Sequence, residues 1–229
     1  MWKSVLAPIH PDGWRFIALG AVLTLVAFSV HLVALGWLAL AATLWIAYFF
    51  RDPWRVTPLR PGLVVSPADG MVLVADQAPP PAELGMGTAP MMRIGIFLNV
   101  FDVHVNRVPL AGVVRKLAYR KGRFLNAAHN RASEDNEQMA IRIASIEGPD
   151  IAVVQIAGLI ARRIVCRLTE GQEVATGERF GLIRFGSRTD VYLPAEWAPL
   201  VAPGQRVLGG ETVIADAVSR ELARQGRMN

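Results

Sequence analysis

The sequence predicts a mainly β protein: a compact β-sandwich or barrel-like domain preceded by an N-terminal hydrophobic helical hairpin. Three observations predict it. From Trp14 to Phe50 the chain is almost wholly apolar, with Arg15 the only charge. From Gly62 onward, short apolar runs rich in β-branched residues alternate with Gly and Pro, which is the signature of strands. A Gly-x-x-Val-x-x-Gly-Glu unit occurs twice, at Gly171–Glu178 and Gly204–Glu211, and its composition is that of a turn, a strand and a second turn.

The apolar stretch divides the chain into a membrane segment, 1–50, and a β-rich domain, 51–229. One spanning helix needs about 20 residues. The stretch is too long for one and enough for two short ones, with a break near Ser29 to Gly36, where Ser29, His31 and Gly36 are the weakest apolar positions. Lys3 and Arg15 precede it, and Arg51, Arg55 and Arg60 follow. The positive-inside tendency places both flanks in the cytoplasm, which requires a hairpin in the cell (inner) membrane. One long tilted helix, or a hairpin dipping into one leaflet, is the alternative. A signal peptide has an apolar core of roughly 7–15 residues and does not fit.

The exit Arg51-Asp52-Pro53-Trp54-Arg55 suits the headgroup zone. The predicted strands are Leu63–Val65, Met71–Ala75, Met92–Leu98, Val113–Tyr119, Ala140–Ala144, Ile151–Ile156 and Ile164–Leu168. Weak helical patterns lie near Ser133–Gln138 and Ala215–Gln225. Pro79-Pro80-Pro81, with Gly85, Gly87 and Pro90, marks a loop. Arg120–Asn126 reads as a basic turn.

Composition bounds the partners. Of 229 residues, 52% are apolar, above the globular norm of about 45–50%. Net charge is +5, and lysine occurs only at Lys3, Lys116 and Lys121. No aromatic-studded basic strand and no zinc-ligand spacing supports nucleic acid binding. Beside a membrane segment, the simpler basic-surface partner is an anionic membrane. Cys166 is the only cysteine, so no intrachain disulfide forms, and its strand-like setting reads as a packed thiol.

Three segments carry the candidate chemistry: Val65-Ser66-Pro67-Ala68-Asp69-Gly70, Asn99 to Pro109 with His104 at its centre, and Arg184-Phe185-Gly186-Ser187-Arg188-Thr189-Asp190-Val191. Together they offer an aspartate, a histidine and a serine. Each has a bland reading as well. Asp69 and the Gly186-Ser187 pair have turn compositions. His104 lies between two valines, as a structural strand histidine would. Asp102 shares a strand face with His104 and competes with Asp69 as its partner.

That set, in that order, resembles the phosphatidylserine decarboxylase proenzymes, in the short bacterial and archaeal branch, from about Phe50 to about Ala215. Asn130–Glu137 is similar to a further segment of that family. The resemblance implies self-cleavage between Gly186 and Ser187, giving a large chain, 1–186, and a small chain, 187–229. It implies that Ser187 attacks the preceding carbonyl and becomes a covalent pyruvoyl group, the Schiff-base site for phosphatidylserine. His104 would be the base and later the proton donor, and Asp69 would orient it, as in hydrolase triads. The lipid product would be phosphatidylethanolamine. No metal is implied.

The chain departs from longer-branch relatives in one respect: Arg107 stands where they carry a second histidine. Arg107 and Asn126 are candidate substrate-binding residues, Arg107 through its planar fork. A homodimer is possible. Two other readings compete: a membrane-anchored serine hydrolase using Ser187, His104 and Asp69, and a membrane-tethered lipoyl- or biotinyl-carrier-like module, which the Gly-x-x-Val-x-x-Gly-Glu units resemble. The second needs a lysine at a hairpin tip, and none of the three lysines lies in those units.

Overall fold

The structure, a computed structural model, describes residues 7–122, 135–146, 148–158, 163–184, 186–219, 221–224 and 226. It divides into two compact units, Met1–Trp54 and Arg55–Asn229.

In the first unit a short 3₁₀ turn, Pro11–Gly13, leads into helix α1 (Trp14–Ser29), and helix α2 follows (Val33–Phe49). The chain reverses at Val30–Leu32, where His31 takes a left-handed conformation with φ of 61°. Small residues let the helices approach: a Cβ on Gly20 would strike Thr43, and one on Gly36 would strike Phe28. The hydroxyls of Thr24 and Thr43 are satisfied within their own helices, by the carbonyls of Gly20 at 2.8 Å and Ala39 at 2.7 Å. Leu19, Leu23, Leu25, Trp37, Leu38 and Leu44 face outward. Apolar residues all round a helix are the pattern of a lipid environment. Pro11–Ser29 is long and apolar enough to cross a membrane; Val33–Phe49 is a shorter apolar helix.

The second unit is built from thirteen short strands among the described residues: β1 (Leu63–Val65), β2 (Gly70–Ala78), β3 (Met91–Leu98), β4 (Val105–Arg107), β5 (Gly112–Arg120), β6 (Gln138–Ser145), β7 (Ile151–Ile156), β8 (Ile164–Cys166), β9 (Glu173–Val174), β10 (Arg179–Ile183), β11 (Ser187–Leu193), β12 (Arg206–Val207) and β13 (Val213–Asp216). All pairings are antiparallel. Eight strands form the main sheet in the order β12-β2-β3-β11-β7-β6-β5-β9, joined by a three-stranded sheet β4-β10-β8 and the pair β1-β13. The protein is mainly β, as its sequence predicts.

That strand order is palindromic in character, and the repeated Gly-x-x-Val-x-x-Gly-Glu units explain it. The first unit contains β9, which pairs with β5; the second contains β12, which pairs with β2. Gly171 donates to Val114 and Gly204 to Val72, each at 2.8 Å. Gly177 donates to Val108 and Gly210 to Ser66, each at 2.8 Å. All four glycines have φ between 78° and 88°, where a side chain is strained. Both β2 and β5 carry a register irregularity near their starts, between Val72 and Val74 and between Val114 and Lys116. Two similar hairpin systems thus flank the central strands β3, β11, β7 and β6.

Ile94, Ile96, Leu98, Val114, Ile141, Ile143, Val153, Val191 and Leu193 fill the principal core on one side of the sheet. Tyr192, Val154, Ile156 and Leu84 form a smaller cluster on the other.

Two weak helical patterns resolve differently. Ala215 and Asp216 end β13, and no helix occurs among the described residues that follow. Burial of Ile214 and Ala215 and the bond from Ala217 N–H to the Gly62 carbonyl outweigh the local propensity. In Ser133–Gln138, Asp135 is helical and Gln138 begins β6, while 133 and 134 lie outside the described residues.

Candidate active site

Strand β11 runs between β3 and β7, and Ser187 is its first residue, opposite Leu98. Side chains alternate along a strand, so Ser187 and Thr189 share the face of core residues Val191 and Leu193. Ser187 is 0% exposed, and its Oγ has no hydrogen-bond partner among the described residues. A buried hydroxyl left unpaired costs roughly 1–3 kcal/mol. Such a group calls for an explanation, and reactivity is one.

Gly186 supplies the local geometry. Its φ is 61°, and among the described residues a Cβ there would meet only Val100 Cγ1 at 3.8 Å. Space is available, so it is the left-handed backbone that favours glycine at this position. Strand β10 ends three residues earlier and pairs with β4, Leu182 opposite Val105. Ile183 N–H donates to the His104 carbonyl at 3.3 Å. This pairing carries His104 to the segment between β10 and β11.

The imidazole of His104 is buried and held at both nitrogens. Nδ1 lies 3.0 Å from the main-chain carbonyl oxygen of Asp102. A carbonyl only accepts, so Nδ1 carries the proton. Nε2 then accepts from Gly186 N–H at 3.3 Å, which places a basic lone pair one residue before Ser187. The Asp102 carboxylate does other work: it accepts from Asn99 N–H at 2.8 Å and pairs with Arg206.

Asp69 sits just before β2. Its carboxylate meets Arg55 at 2.6 Å and accepts from Gly209 N–H at 2.8 Å. The Pro67 carbonyl accepts from Arg107 N–H at 2.8 Å, which lays this turn along β4. Register brings Asp69 to the Ser187 end of the sheet: Met71 opposes Phe97, and Leu98 opposes Ser187. Arg107 is buried, with Nη1 donating to the Gly177 carbonyl at 3.1 Å. Asn126 lies outside the described residues.

Sequence reasoning missed a buried polar chain on the same face. Gln155 Nε2 donates to Asn106 Oδ1 at 2.8 Å, and Asn106 Nδ2 approaches Thr189 Oγ1 at 3.5 Å. Gln155 is directly opposite Thr189 in the register, and its own Oε1 is buried without a partner. The available signal was a lone amide inside the apolar run Ile151–Ile156. The opposite face of β11 carries Arg188 and Asp190, both 0% exposed and bonded to each other. Beside them burial, aided by the Asp190 charge, pushes the Tyr192 hydroxyl up to about 12. No cluster of three or more His, Cys, Asp or Glu side chains that could hold a metal ion occurs among the described residues.

Comparison with known proteins points one way. The family model described as phosphatidylserine decarboxylase matches residues 42–215. A phosphatidylserine decarboxylase proenzyme from Cereibacter sphaeroides is 54% identical over 226 residues, covering 99% of this chain and 97% of the relative. One from Paramagnetospirillum magneticum is 54% identical, covering 99% of this chain and 94% of the relative. One from Saccharopolyspora erythraea is 51% identical, covering 97% and 92%.

Proposed function

The chain belongs to the phosphatidylserine decarboxylase family, and on that premise we propose that it converts phosphatidylserine to phosphatidylethanolamine with a pyruvoyl group made from its own Ser187. The observation that carries the residue assignment is the juxtaposition at β11: a buried, unpaired Ser187 hydroxyl, preceded by a left-handed Gly186 whose N–H bonds His104 Nε2.

These residues fit the group. Its formation needs a serine hydroxyl close to its own preceding carbonyl and free of competing hydrogen bonds. The Ser187 Oγ meets the second condition, and adjacency in the chain meets the first. His104 Nε2 takes the hydroxyl proton. The Ser187 oxygen bonds to the Gly186 carbonyl carbon, the C–N bond breaks, and the proton passes to the released nitrogen, leaving an ester. Removal of the Cα proton of residue 187 then expels the Gly186 carboxylate. Water adds to the tautomerised residue, and ammonia departs. The large chain, 1–186, and the small chain, 187–229, remain together through β11's pairing with β3 and β7.

When formed, the pyruvoyl group supplies a carbonyl that captures the substrate amine and accepts the electrons released with carbon dioxide. The chain's residues hold and protonate. Asp69, an anion fixed by Arg55 and by Gly209 N–H, is the candidate for stabilising a protonated His104 through its charge. His104 in that state returns a proton to the reacting carbon. Arg107 is the candidate for orienting the substrate's acidic groups.

The apolar helices fit attachment to the cell membrane, with the β unit on the cytoplasmic side and an anionic bilayer as partner. Intact-mass analysis of the purified protein tests the proposal. Two fragments divided at Gly186–Ser187 are expected, the smaller beginning with a keto group and no amine. An unbroken chain fully active on lipid overturns it. Ser187→Ala should give one full-length band and no carbon dioxide release.

A further inference from the structure

We propose that the Asn99–Asp102 turn inserts into the bilayer interface and marks the point at which a lipid headgroup passes to Ser187. The inference rests on the lipid-decarboxylase reading above and adds where the β unit meets its substrate's phase.

Phe101 is 60% exposed at the tip of this turn. An isolated exposed aromatic is unremarkable on a protein surface. This one is held out by a tightly bonded turn. Asn99 N–H donates to the Asp102 carboxylate at 2.8 Å, Phe101 N–H to the Asn99 side chain at 3.2 Å, and Asp102 N–H to the Asn99 carbonyl at 2.8 Å. Arg206 closes the turn from β12 by its ion pair with Asp102. Those bonds order the main chain that carries the ring.

The surroundings have the chemistry of a headgroup zone. The Arg206 side chain is 66% exposed despite its ion pair, so its guanidinium faces both Asp102 and solvent. Met71, 38% exposed, is paired with Arg206 across β2 and β12. Phe101 and Met71 supply apolar surface that can enter a membrane interface, and Arg206 supplies a cation that can meet phosphate.

Position joins this patch to the reaction. Val100, in the same turn, is the nearest neighbour a Cβ on Gly186 would have. Asp102, at its end, holds the His104 ring through its carbonyl. Ser187 is fully buried and the substrate's acyl chains stay in the bilayer; on this proposal the headgroup leaves the interface beside this segment. The occupant is therefore a phospholipid bilayer with anionic headgroups, in keeping with the chain's net charge of +5.

The test uses the full chain in vesicles of phosphatidylethanolamine and phosphatidylglycerol. Phe101→Cys in a Cys166→Ser background carries an environment-sensitive fluorophore; Glu196→Cys, exposed beyond the far end of β11, is the control. Nitroxide placed near the lipid headgroup should quench the label at 101 at least about threefold more than the label at 196. Separately, Phe101→Ser should lower the ratio of turnover on bilayer substrate to turnover on dispersed short-chain phosphatidylserine roughly tenfold, with Phe101→Trp restoring it. Self-scission on a gel reports folding of each variant. Equal quenching at the two positions in a protein that still decarboxylates overturns the insertion alone. A folded chain that releases no carbon dioxide from either substrate form overturns the decarboxylase reading on which it rests.

Discussion

Gly186 donates its main-chain N–H to Nε2 of His104 at 3.3 Å, while the Asp102 carbonyl holds Nδ1 at 3.0 Å. The two contacts fix a neutral tautomer whose lone pair lies beside the bond proposed to break. His104→Ala removes the proposed base and leaves the Gly186 backbone in place. Positioned general bases contribute about 10²–10⁴-fold. Scission should slow at least about a hundredfold, read as persistence of the full-length band after synthesis. Scission at the ordinary rate would remove His104 from the mechanism.

Asp69 and Asp102 are separable. Asp102 reaches the imidazole through its main chain, which Asp102→Asn retains, together with an oxygen for Asn99 N–H. The role proposed for Asp69 rests on its charge, which Asp69→Asn removes. Scission should slow more than about tenfold in Asp69→Asn and change less than about threefold in Asp102→Asn, since on this proposal the Asp69 charge supports the imidazolium, whereas loss of a partly exposed ion pair changes little. A time course on gels decides. The reverse order would make Asp102 the electrostatic partner.

Gly95 has a steric role on the far face of the sheet. A Cβ there would lie 2.6 Å from Arg188 Nη2 and 2.8 Å from Asp190 Oδ1. Gly95→Ala therefore wedges into the buried Arg188–Asp190 ion pair, which begins one residue after Ser187. Overpacking of this kind costs about 1–3 kcal/mol. The melting temperature should fall by several degrees, and a calorimetric scan measures it.

What could be read in advance divides along a physical line. Leu63–Val65 and Ile151–Ile156 are strands at those residues, because runs of β-branched side chains bounded by Gly, Pro or Asp specify extension locally. The repeated Gly-x-x-Val-x-x-Gly-Glu units were legible because a left-handed turn demands glycine at fixed offsets. Ser187 read as part of a polar turn, yet it begins the central strand β11. Nothing local marks Ser187–Leu193 as buried; Arg188, Thr189 and Asp190 read as surface, and only their pairing across the sheet covers them. The same holds for Asn106 and Gln155, whose bond joins β4 to β7 across chain segments that no short-range pattern connects. Asp102's part lies in its carbonyl, and main-chain groups carry no sequence signal.

Cys166 is half-buried on β8, and burial pushes its thiol up, against a smaller opposing hydrogen bond from Leu168. The thiolate is the reactive form. Near pH 8, about where a free cysteine is partly ionised, Cys166 should alkylate more slowly than a free thiol, and the difference should narrow as pH rises. Timed iodoacetamide labelling followed by mass spectrometry measures it. Labelling as fast as glutathione would mean an open, polar site.

Asp216 closes the β1–β13 pair opposite Leu63 and is held by Arg60 and by Val218 N–H at 3.0 Å. Burial alone would raise its carboxyl, but Arg60 and the Val218 and Ser219 N–H groups outweigh burial and hold it below the usual carboxylate value. A carboxyl depressed in the folded state stabilises the fold above its unfolded pKa, and that contribution is lost as pH falls through the folded value. The Arg60 side chain is 52% exposed, so solvent screens the pair and the effect is modest. Asp216→Asn should melt no more than a few degrees below the parent near pH 7, and the gap should shrink toward zero as pH is lowered to about 3. A gap that persists unchanged into acid would mean that Asp216 holds the strand pair by hydrogen bonds that the asparagine cannot form, and that its charge contributes nothing.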